Sequence, residues 1–214
     1  MKIVAFVPIK FHSERLKNKN FLKINDKSLC YYIFDTLLKI NLINEIYVFC
    51  RDKKILEYIP KNIKFLEREK HLDNNDTLGM EIYQSFIDKI DSDIYLLCHT
   101  TSPFIKELSI IKGLEKILNE DYDSACSCKL LKTFAWFKNK PLNYNLDLIP
   151  RTQNIEPVII ETSAFYAFKK EVIKNKKRIG EKHFFVNTTD IESIDIDTEN
   201  DFNFAKTIFK SISN

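Results

Sequence analysis

The sequence predicts an α/β fold with a mostly parallel sheet and helices on both faces. Short apolar runs of strand length alternate with segments of helical period through residue 129, a pattern typical of βαβ units. Apolar residues make up 44% of the 214 residues and charged residues 29%, so the chain has enough apolar surface for a full core. The length fits a single domain spanning 1–214.

Seven short apolar runs predict the strands of the sheet, and six segments with apolar residues on one face predict its helices. The strands are expected at 2–8, 45–50, 63–66, 93–98, 123–129, 158–168 and 184–186. The helices are expected at 29–40, 53–58, 77–90, 109–118, 169–177 and 201–212, with Asp76 as the N-cap of the third. In such sheets ligands bind beyond the carboxyl ends of the strands.

The pattern changes between residues 134 and 155. This segment contains Trp136, Pro141, Tyr144, Pro150 and several asparagines without helical period. We expect an excursion from the sheet there, and a β-hairpin arm is one form it can take.

Composition excludes several function classes. A net charge of +3 is too small to indicate a nucleic-acid binder. The sequence has no apolar run of about 18 residues, the length that spans a membrane, and the first residues do not resemble a signal peptide, so we expect a cytoplasmic protein. Five scattered cysteines without CxxC spacing argue against a disulfide framework or a zinc site; we expect them to be buried.

The segment 7–20 covers the end of the first strand and a strongly cationic loop. Four cations fall within ten residues, and Ser13 adds a hydroxyl and a backbone N–H. Fixed cations close together suit a triphosphate, which carries nearly four negative charges. On composition alone, a solvated charged loop fits equally well.

The same loop resembles the first motif of the CMP-sugar synthetases. Residues 8–20 spell P-I-K-F-H-S-E-R-L-K-N-K-N. In the CMP-N-acylneuraminate cytidylyltransferase family that motif is P-A-R-G-G-S-K-x-x-x-x-K-N, matched by Ser13, Lys19 and Asn20. In CMP-Kdo synthetases it is P-A-R-x-x-S-x-R-L-P-x-K, matched by Ser13, Arg15, Leu16 and Lys19.

Four later segments resemble the acylneuraminate family in the same order along the chain. H-T-T-S-P-F at 99–104 is similar to Q-P-T-S-P-L, and R-T-Q at 151–153 is similar to R-x-Q. E-T-S-A-F-Y at 161–166 is similar to E-N-G-A-I-Y, and D-I-D-T at 195–198 followed by D-F at 201–202 is similar to D-I-D-T-x-x-D-F. The resemblance covers essentially the whole chain and implies a three-layer Rossmann-like nucleotidyltransferase fold.

The resemblance implies roles for the cationic loop and its surroundings. Lys10, Arg15 and Lys19 would hold the triphosphate, with Lys10 in place of a family arginine and therefore without the bidentate fork. Ser13 and Asn20 would contact the nucleotide. Arg68 matches an arginine that lies near cytosine in the family; a surface arginine is the alternative.

The resemblance also implies a metal site at Asp195 and Asp197. Hard carboxylates suit Mg²⁺, with Mn²⁺ as an alternative, bridging to phosphate. We expect the pair at a strand end with side chains on opposite faces, so that one ligates directly and the other through water. The alternative is that one of them caps the following helix.

The acceptor side departs from the family pattern. His99 stands in place of a glutamine and Thr162 in place of an asparagine, both near the sugar in the family; a structural hydrogen-bonding residue at a strand end is the alternative for His99. Ser163 replaces a glycine and Tyr166 is retained. We infer that the donor is CTP and that the acceptor is not a common sialic acid. Arg151 and the basic stretch 182–183 are candidates for holding an acceptor carboxylate, because in the family such groups reach across a dimer interface from an extension like 134–155, and we expect a homodimer.

The implied reaction transfers CMP from CTP to an acidic sugar and releases pyrophosphate, so the expected partners are CTP and a small acidic acceptor. A first alternative is a phosphorylated acceptor and a CDP-product. A second is a metal-dependent glycosyltransferase, whose DxD motif 195–197 superficially matches. A third is a non-catalytic nucleotide-binding protein.

Overall fold

The computed structural model describes residues 1–11, 13, 15–74 and 76–212. The strands, in chain order, are β1 (Ile3–Ile9), β2 (Lys23–Ile24), β3 (Lys27–Ser28), β4 (Glu45–Cys50), β5 (Lys64–Glu67), β6 (Ile94–Cys98), β7 (Ser124–Leu131), β8 (Trp136–Phe137), β9 (Lys140–Pro141), β10 (Val158–Lys169) and β11 (His183–Asn187). The α-helices are α1 (Leu29–Leu37), α2 (Gly79–Lys89), α3 (Glu107–Asn119), α4 (Lys170–Lys174) and α5 (Glu199–Ile212). Short 3-10 helices cover Lys19–Phe21, Lys53–Glu57, Lys70–Asp73 and Thr152–Asn154.

Seven strands form one central sheet in the order β11-β7-β10-β6-β1-β4-β5. β1 pairs in parallel with β4 and β6, β4 with β5, and β7 with β11. β10 alone of these seven strands runs antiparallel to both of its neighbours, β6 and β7. The prediction of an α/β fold with a mostly parallel sheet is confirmed.

Alternating side chains of β1 build an apolar core on each face of the sheet. Ala5 and Val7 lie in a cluster with residues of α1 and α3, whereas Val4 and Phe6 lie in a cluster with residues of α2 and α4. The Phe6 ring stacks on Phe86 of α2 with centroids 4.3 Å apart. Because every second residue of a strand faces the same side, one apolar strand supports both helical layers.

The short helix predicted at 53–58 is present as a 3-10 helix, Lys53–Glu57. The start and the N-cap predicted for the next helix were wrong. The helix predicted from residue 77 begins at Gly79, with Leu78 rather than Asp76 as N-cap. Thr77 belongs to a turn, because its N–H donates to the Asn74 carbonyl and its hydroxyl to the His71 carbonyl.

All five cysteines are free and buried, as predicted. Over the described ranges, none of the helices is both long enough and apolar enough to cross a membrane.

The segment 132–157 leaves the sheet where β7 ends and returns where β10 begins. The pairing of Val158 with Leu131 closes its base, and β8 and β9 form a short antiparallel hairpin within it.

The carboxyl ends of the parallel strands β1, β4 and β6 lie at one edge of the sheet, as do the ends of β7 and β11. Because β10 runs the opposite way, its first half reaches that same edge. A bulge between Glu161 and Tyr166 interrupts its pairing with β7 there. Loops from both halves of the chain therefore meet at a single edge.

Candidate functional site

The cationic loop after β1 contacts the acidic segment after β11. Lys19 Nζ lies 3.0 Å from Asp197 Oδ1 and donates to the carbonyl of Ile196 at 2.9 Å. Arg15 Nη1 lies 2.7 Å from the other carboxylate oxygen, Asp197 Oδ2. The Lys19 side chain is only 13% exposed, whereas that of Arg15 is 68% exposed. One partly buried and one solvent-facing cation thus converge on a single carboxylate.

Asp195 and Asp197 do not lie on a strand, contrary to the prediction. β11 ends at Asn187 and α5 begins at Glu199, and the residues between form a coil held by a hydrogen bond from Ile196 N–H to the Thr101 carbonyl. The expectation that the two carboxylates point to opposite faces of a strand, one ligating a metal directly and the other through water, therefore loses its basis. Lys19 acts on both of them, through an ion pair with Asp197 and through a charge that partly opposes the rise in the pKa of Asp195 caused by burial.

The environment of Asp195 fits a bound cation. Its Oδ1 is buried without a hydrogen-bond partner. Burial raises the pKa of its carboxyl, and the nearby Asp197 charge raises it further, against a hydrogen bond from Thr101 and the Lys19 charge. No group of three or more His, Cys, Asp or Glu residues able to hold a metal occurs in the described part of the chain. A carboxylate pair suits Mg²⁺, which keeps waters and takes phosphate oxygens as further ligands.

Side chains connect the loops that follow β1 and β6. Asn20 is buried; its amide donates to the Lys10 carbonyl at 2.9 Å and its oxygen accepts from the Thr100 hydroxyl at 2.6 Å. Lys10 Nζ donates to the Asn74 carbonyl at 2.7 Å. The nucleotide contacts of Lys10, Ser13 and Asn20 remain predictions. His12 and Glu14 of the same loop lie outside the described residues.

Arg68 is not a surface arginine, which was the alternative considered for it, because only 1% of its surface is exposed. Its Nη2 donates to the Ile9 carbonyl at 2.8 Å and its Nη1 to the Phe49 carbonyl at 3.3 Å. Its guanidinium also pairs with Asp73. These contacts hold the guanidinium at the ends of β1 and β4. Its contact with cytosine remains a prediction.

His99, at the end of β6, is bound to the bulge of β10. Its Nδ1 lies 2.5 Å from the Ser163 carbonyl, so this nitrogen carries the proton, because a carbonyl only accepts. Its Nε2 lies 3.3 Å from the Tyr83 hydroxyl. Burial lowers the pKa of His99, which favours the neutral ring.

Ser163 adopts a φ of 59°, a left-handed conformation that favours glycine. The resembled family has glycine at this position. His99 bonds the backbone carbonyl of residue 163, while the Ser163 hydroxyl lies 3.3 Å from the Tyr166 hydroxyl.

Tyr166 belongs to a polar cluster beside His99. Its hydroxyl donates to Glu161 Oε2 at 2.7 Å, and Arg178 Nη2 donates to the same oxygen at 3.1 Å. The Arg178 guanidinium stacks over the Tyr166 ring, 4.1 Å from its centroid. Burial raises the pKa of Tyr166. The hydroxyl of Thr162 is buried without a partner.

Arg151 lies apart from this cluster, exposed in the excursion. Sequence reasoning assigned no role to Tyr83, Glu161 or Arg178. Glu161 lies within a motif quoted above and could have been found there. Tyr83 and Arg178 carried no signal in the sequence, because only the fold brings them to His99 and Tyr166.

Comparison with known proteins shows the family and the fold of the chain. The model of a family described as cytidylyltransferase matches residues 4–208. N-acylneuraminate cytidylyltransferase A of Danio rerio is 21% identical over 215 residues, covering 95% of this chain and 50% of that protein. The chain spans about half the length of the curated relatives it matches.

Two solved structures share the fold. A CMP:2-keto-3-deoxy-manno-octonic acid synthetase complexed with CTP superposes with a TM-score of 0.77 at 15% identity, covering 99% of both chains. A 4-diphosphocytidyl-2C-methyl-D-erythritol synthase from Anaerococcus prevotii superposes with a TM-score of 0.70 at 15% identity, covering 98% of this chain and 96% of that one.

Replacing Asp195 by asparagine should stabilise the metal-free protein. Because the folded-state pKa of Asp195 is raised, its charged form costs stability at neutral pH. We expect Asp195→Asn to raise Tm in EDTA at pH 7. The gain should shrink as pH falls through the raised pKa and disappear below about 3.9, the ordinary value, where the carboxyl is protonated in both states. Asp197→Asn is the control: it removes an ion-pair partner and should not raise Tm. An unchanged Tm for Asp195→Asn at pH 7 would contradict the raised pKa of Asp195.

Proposed function

This chain belongs to the cytidylyltransferase family, and we propose that it transfers CMP from CTP to an acidic sugar of the ulosonic-acid type, releasing pyrophosphate. The observation that carries this proposal is the contact of Lys19 and Arg15 with Asp197. It joins a cationic loop suited to a triphosphate and a carboxylate pair suited to a divalent cation at the edge where α/β sheets bind ligands.

The cations of the loop would hold the triphosphate. Asp197 balances Lys19 and Arg15 in the free protein, and nucleotide phosphates would take over these two cations when CTP binds. Lys10 lies beyond the same strand end and would add a third charge. Fixed cations at the leaving pyrophosphate stabilise the charge that develops on it.

Asp195 and Asp197 would hold Mg²⁺ or Mn²⁺. When bound, the cation would supply positive charge at the phosphate oxygens. The unpartnered Oδ1 of Asp195 supports this assignment.

The reaction itself needs no covalent bond to the protein. An acceptor hydroxyl oxygen attacks the α-phosphorus of CTP, and the bond from that phosphorus to the bridging oxygen of pyrophosphate breaks. The cluster of His99, Thr162, Tyr166, Glu161 and Arg178 lies beside the carboxylate loop, since the Ile196 N–H of that loop donates to the carbonyl of Thr101, two residues after His99. We assign this cluster to the acceptor. Holding the two reactants in position is a large part of such catalysis.

A second candidate is a phosphorylated acceptor that yields a CDP-compound. This candidate is supported by the fold that the chain shares with a 4-diphosphocytidyl-2C-methyl-D-erythritol synthase. Product mass separates the two, because a CDP-product retains the phosphate of the acceptor.

We also propose a homodimer formed through the excursion. Large apolar side chains along 136–160 are more than two-fifths exposed, and exposed apolar groups of this kind indicate an interface: Trp136, Phe137, Leu142, Leu146, Leu148, Ile149, Ile159 and Ile160. Arg151 lies in the same segment, so a second copy would bring its Arg151 toward the acceptor site of the first.

The test of the function is a pyrophosphate-release screen. CTP and Mg²⁺ are offered with N-acetylneuraminic acid, 3-deoxy-manno-octulosonic acid, other ulosonic acids and phosphorylated polyols, and products are identified by mass. A CMP-sugar supports the main proposal and a CDP-product the second. CTP binding without pyrophosphate release across the panel would indicate a non-catalytic protein, and nucleotide-sugar hydrolysis without CTP turnover a glycosyltransferase.

Lys19→Met should lower kcat about 10²- to 10³-fold, because it removes a preorganised cation from the leaving group. Lys17→Met is the matched control: the same charge is lost from the same loop, at an exposed position. Activity of both variants is measured as pyrophosphate release, with Tm as a check on folding. Equal loss in both variants, or no loss in Lys19→Met, would contradict the role of Lys19.

Complementation tests the dimer. Arg151→Ala and Asp197→Ala should each be inactive. If Arg151 acts on the partner's site, unfolding and refolding the two variants together restores about a quarter of wild-type activity, since half the dimers are mixed and each mixed dimer has one intact site. An inactive mixture that elutes as a dimer would mean that Arg151 acts within its own subunit, and a monomeric wild type would refute the dimer.

A further inference from the structure

The loop that carries Asp195 and Asp197 is held by both backbone and side-chain hydrogen bonds. On the downstream side, Asp201 Oδ2 accepts hydrogen bonds from the N–H groups of Asp197 at 3.1 Å and Thr198 at 2.8 Å. The Ile196 N–H donates to the Thr101 carbonyl, and further upstream the Thr188 N–H donates to the Cys128 carbonyl of β7. Between these two backbone bonds the loop contributes no strand to the sheet, and a side chain anchors it to another element.

Glu192 provides that anchor. It is only 3% exposed, and its two carboxylate oxygens bind different parts of the fold. Oε2 accepts from the Thr189 N–H at 3.2 Å and hydroxyl at 2.9 Å, within the loop. Oε1 accepts from the Lys106 N–H at 3.1 Å and the Ser109 hydroxyl at 2.6 Å, at the start of α3.

The buried carboxylate of Glu192 is well compensated. Burial alone would raise its pKa, but the hydrogen bonds from Ser109, Thr189 and Lys106 outweigh it, so that its pKa lies below the ordinary value. It also meets the N-terminal end of a 13-residue helix, where partial positive charge stabilises an anion. Glu192 is therefore an ionised, fixed attachment point between α3 and the loop.

We propose that Glu192 is a positioning residue for the carboxylate pair, holding Asp195 and Asp197 where a divalent cation and the nucleotide phosphates meet. The role rests on the proposed function for its metal and nucleotide. Glu192 precedes Asp195 by three residues, a span of at most about 10 Å, so its fixation limits where Asp195 can lie. The bond from Ile196 to Thr101 holds the other side of Asp195, so its buried, unpartnered Oδ1 lies between two attachments.

The test measures metal binding directly, without an acceptor. Mn²⁺ is titrated into protein with CTP and followed by EPR, while metal-free CTP binding is followed by calorimetry. Glu192→Gln replaces one accepting oxygen by an NH₂ group that opposes the donors around it. We expect Mn²⁺ affinity to fall about 10-fold, the scale of changes to groups that orient metal ligands, with metal-free CTP affinity unchanged.

Asp190→Asn is the matched control. It removes the same charge two residues away from an exposed carboxylate that pairs with Lys129, and Mn²⁺ affinity should stay at the wild-type value. Ser109→Ala is a milder second variant, because it removes one of the four hydrogen bonds and leaves the carboxylate in place. It should weaken Mn²⁺ binding in the same direction.

A lowered Tm with unchanged Mn²⁺ affinity in Glu192→Gln and Ser109→Ala would reduce Glu192 to a fold-stabilising group and overturn the proposal. Wild-type protein that binds no Mn²⁺ would overturn it as well. If the wild type binds Mn²⁺ and CTP but releases no pyrophosphate with any acceptor, the proposed function fails, while a 10-fold loss in Glu192→Gln still supports the positioning role.

Discussion

The candidate site depends on one electrostatic contact, in which Lys19 and Arg15 share the carboxylate of Asp197. Lys19 and Asp197 are 178 positions apart in the sequence, so the contact joins the loop after the first strand of the sheet to the loop after its last strand. The cations of the first loop repel one another, and so do the carboxylates of the last loop. When the two loops meet, the opposite charges attract, and because Lys19 is largely buried this attraction is stronger than it would be in water. The candidate site is thus assembled by the fold from groups of opposite charge.

The loops around this contact are connected by buried polar side chains, which need hydrogen-bond partners within the protein. Arg68 binds the carbonyl ends of β1 and β4, and Asn20 connects the loops that follow β1 and β6. A buried donor or acceptor without a partner is costly, so each bond restricts the loop it touches. Glu192 restricts the carboxylate loop for the same reason.

The position of the His99 cluster follows from the direction of β10. Because this strand runs antiparallel to β6, residues 161–166 lie beside His99 at the carboxyl ends of the parallel strands. The departures from the family pattern at positions 99 and 163 are neighbours there, since the His99 ring bonds the carbonyl of Ser163, a residue with positive φ. The proposed function assigns this region to the acceptor.

The sequence by itself determined the seven strands of the central sheet, the order of the helices and the cationic loop, because alternation and helical period record which face of each segment is buried. Motif order also identified Lys19 and Asp197, whose side chains meet. Tertiary structure decided the rest: the sense of β10, the coil at Asp195 and Asp197, the late start of α2, and the arrival of Tyr83, Arg178 and Glu192 at their partners. These depend on contacts between segments far apart in the chain, where burial and hydrogen-bond saturation outweigh local preference. The cationic loop illustrates the division: its charges are visible in the sequence, but the carboxylate that balances them is placed there only by the fold.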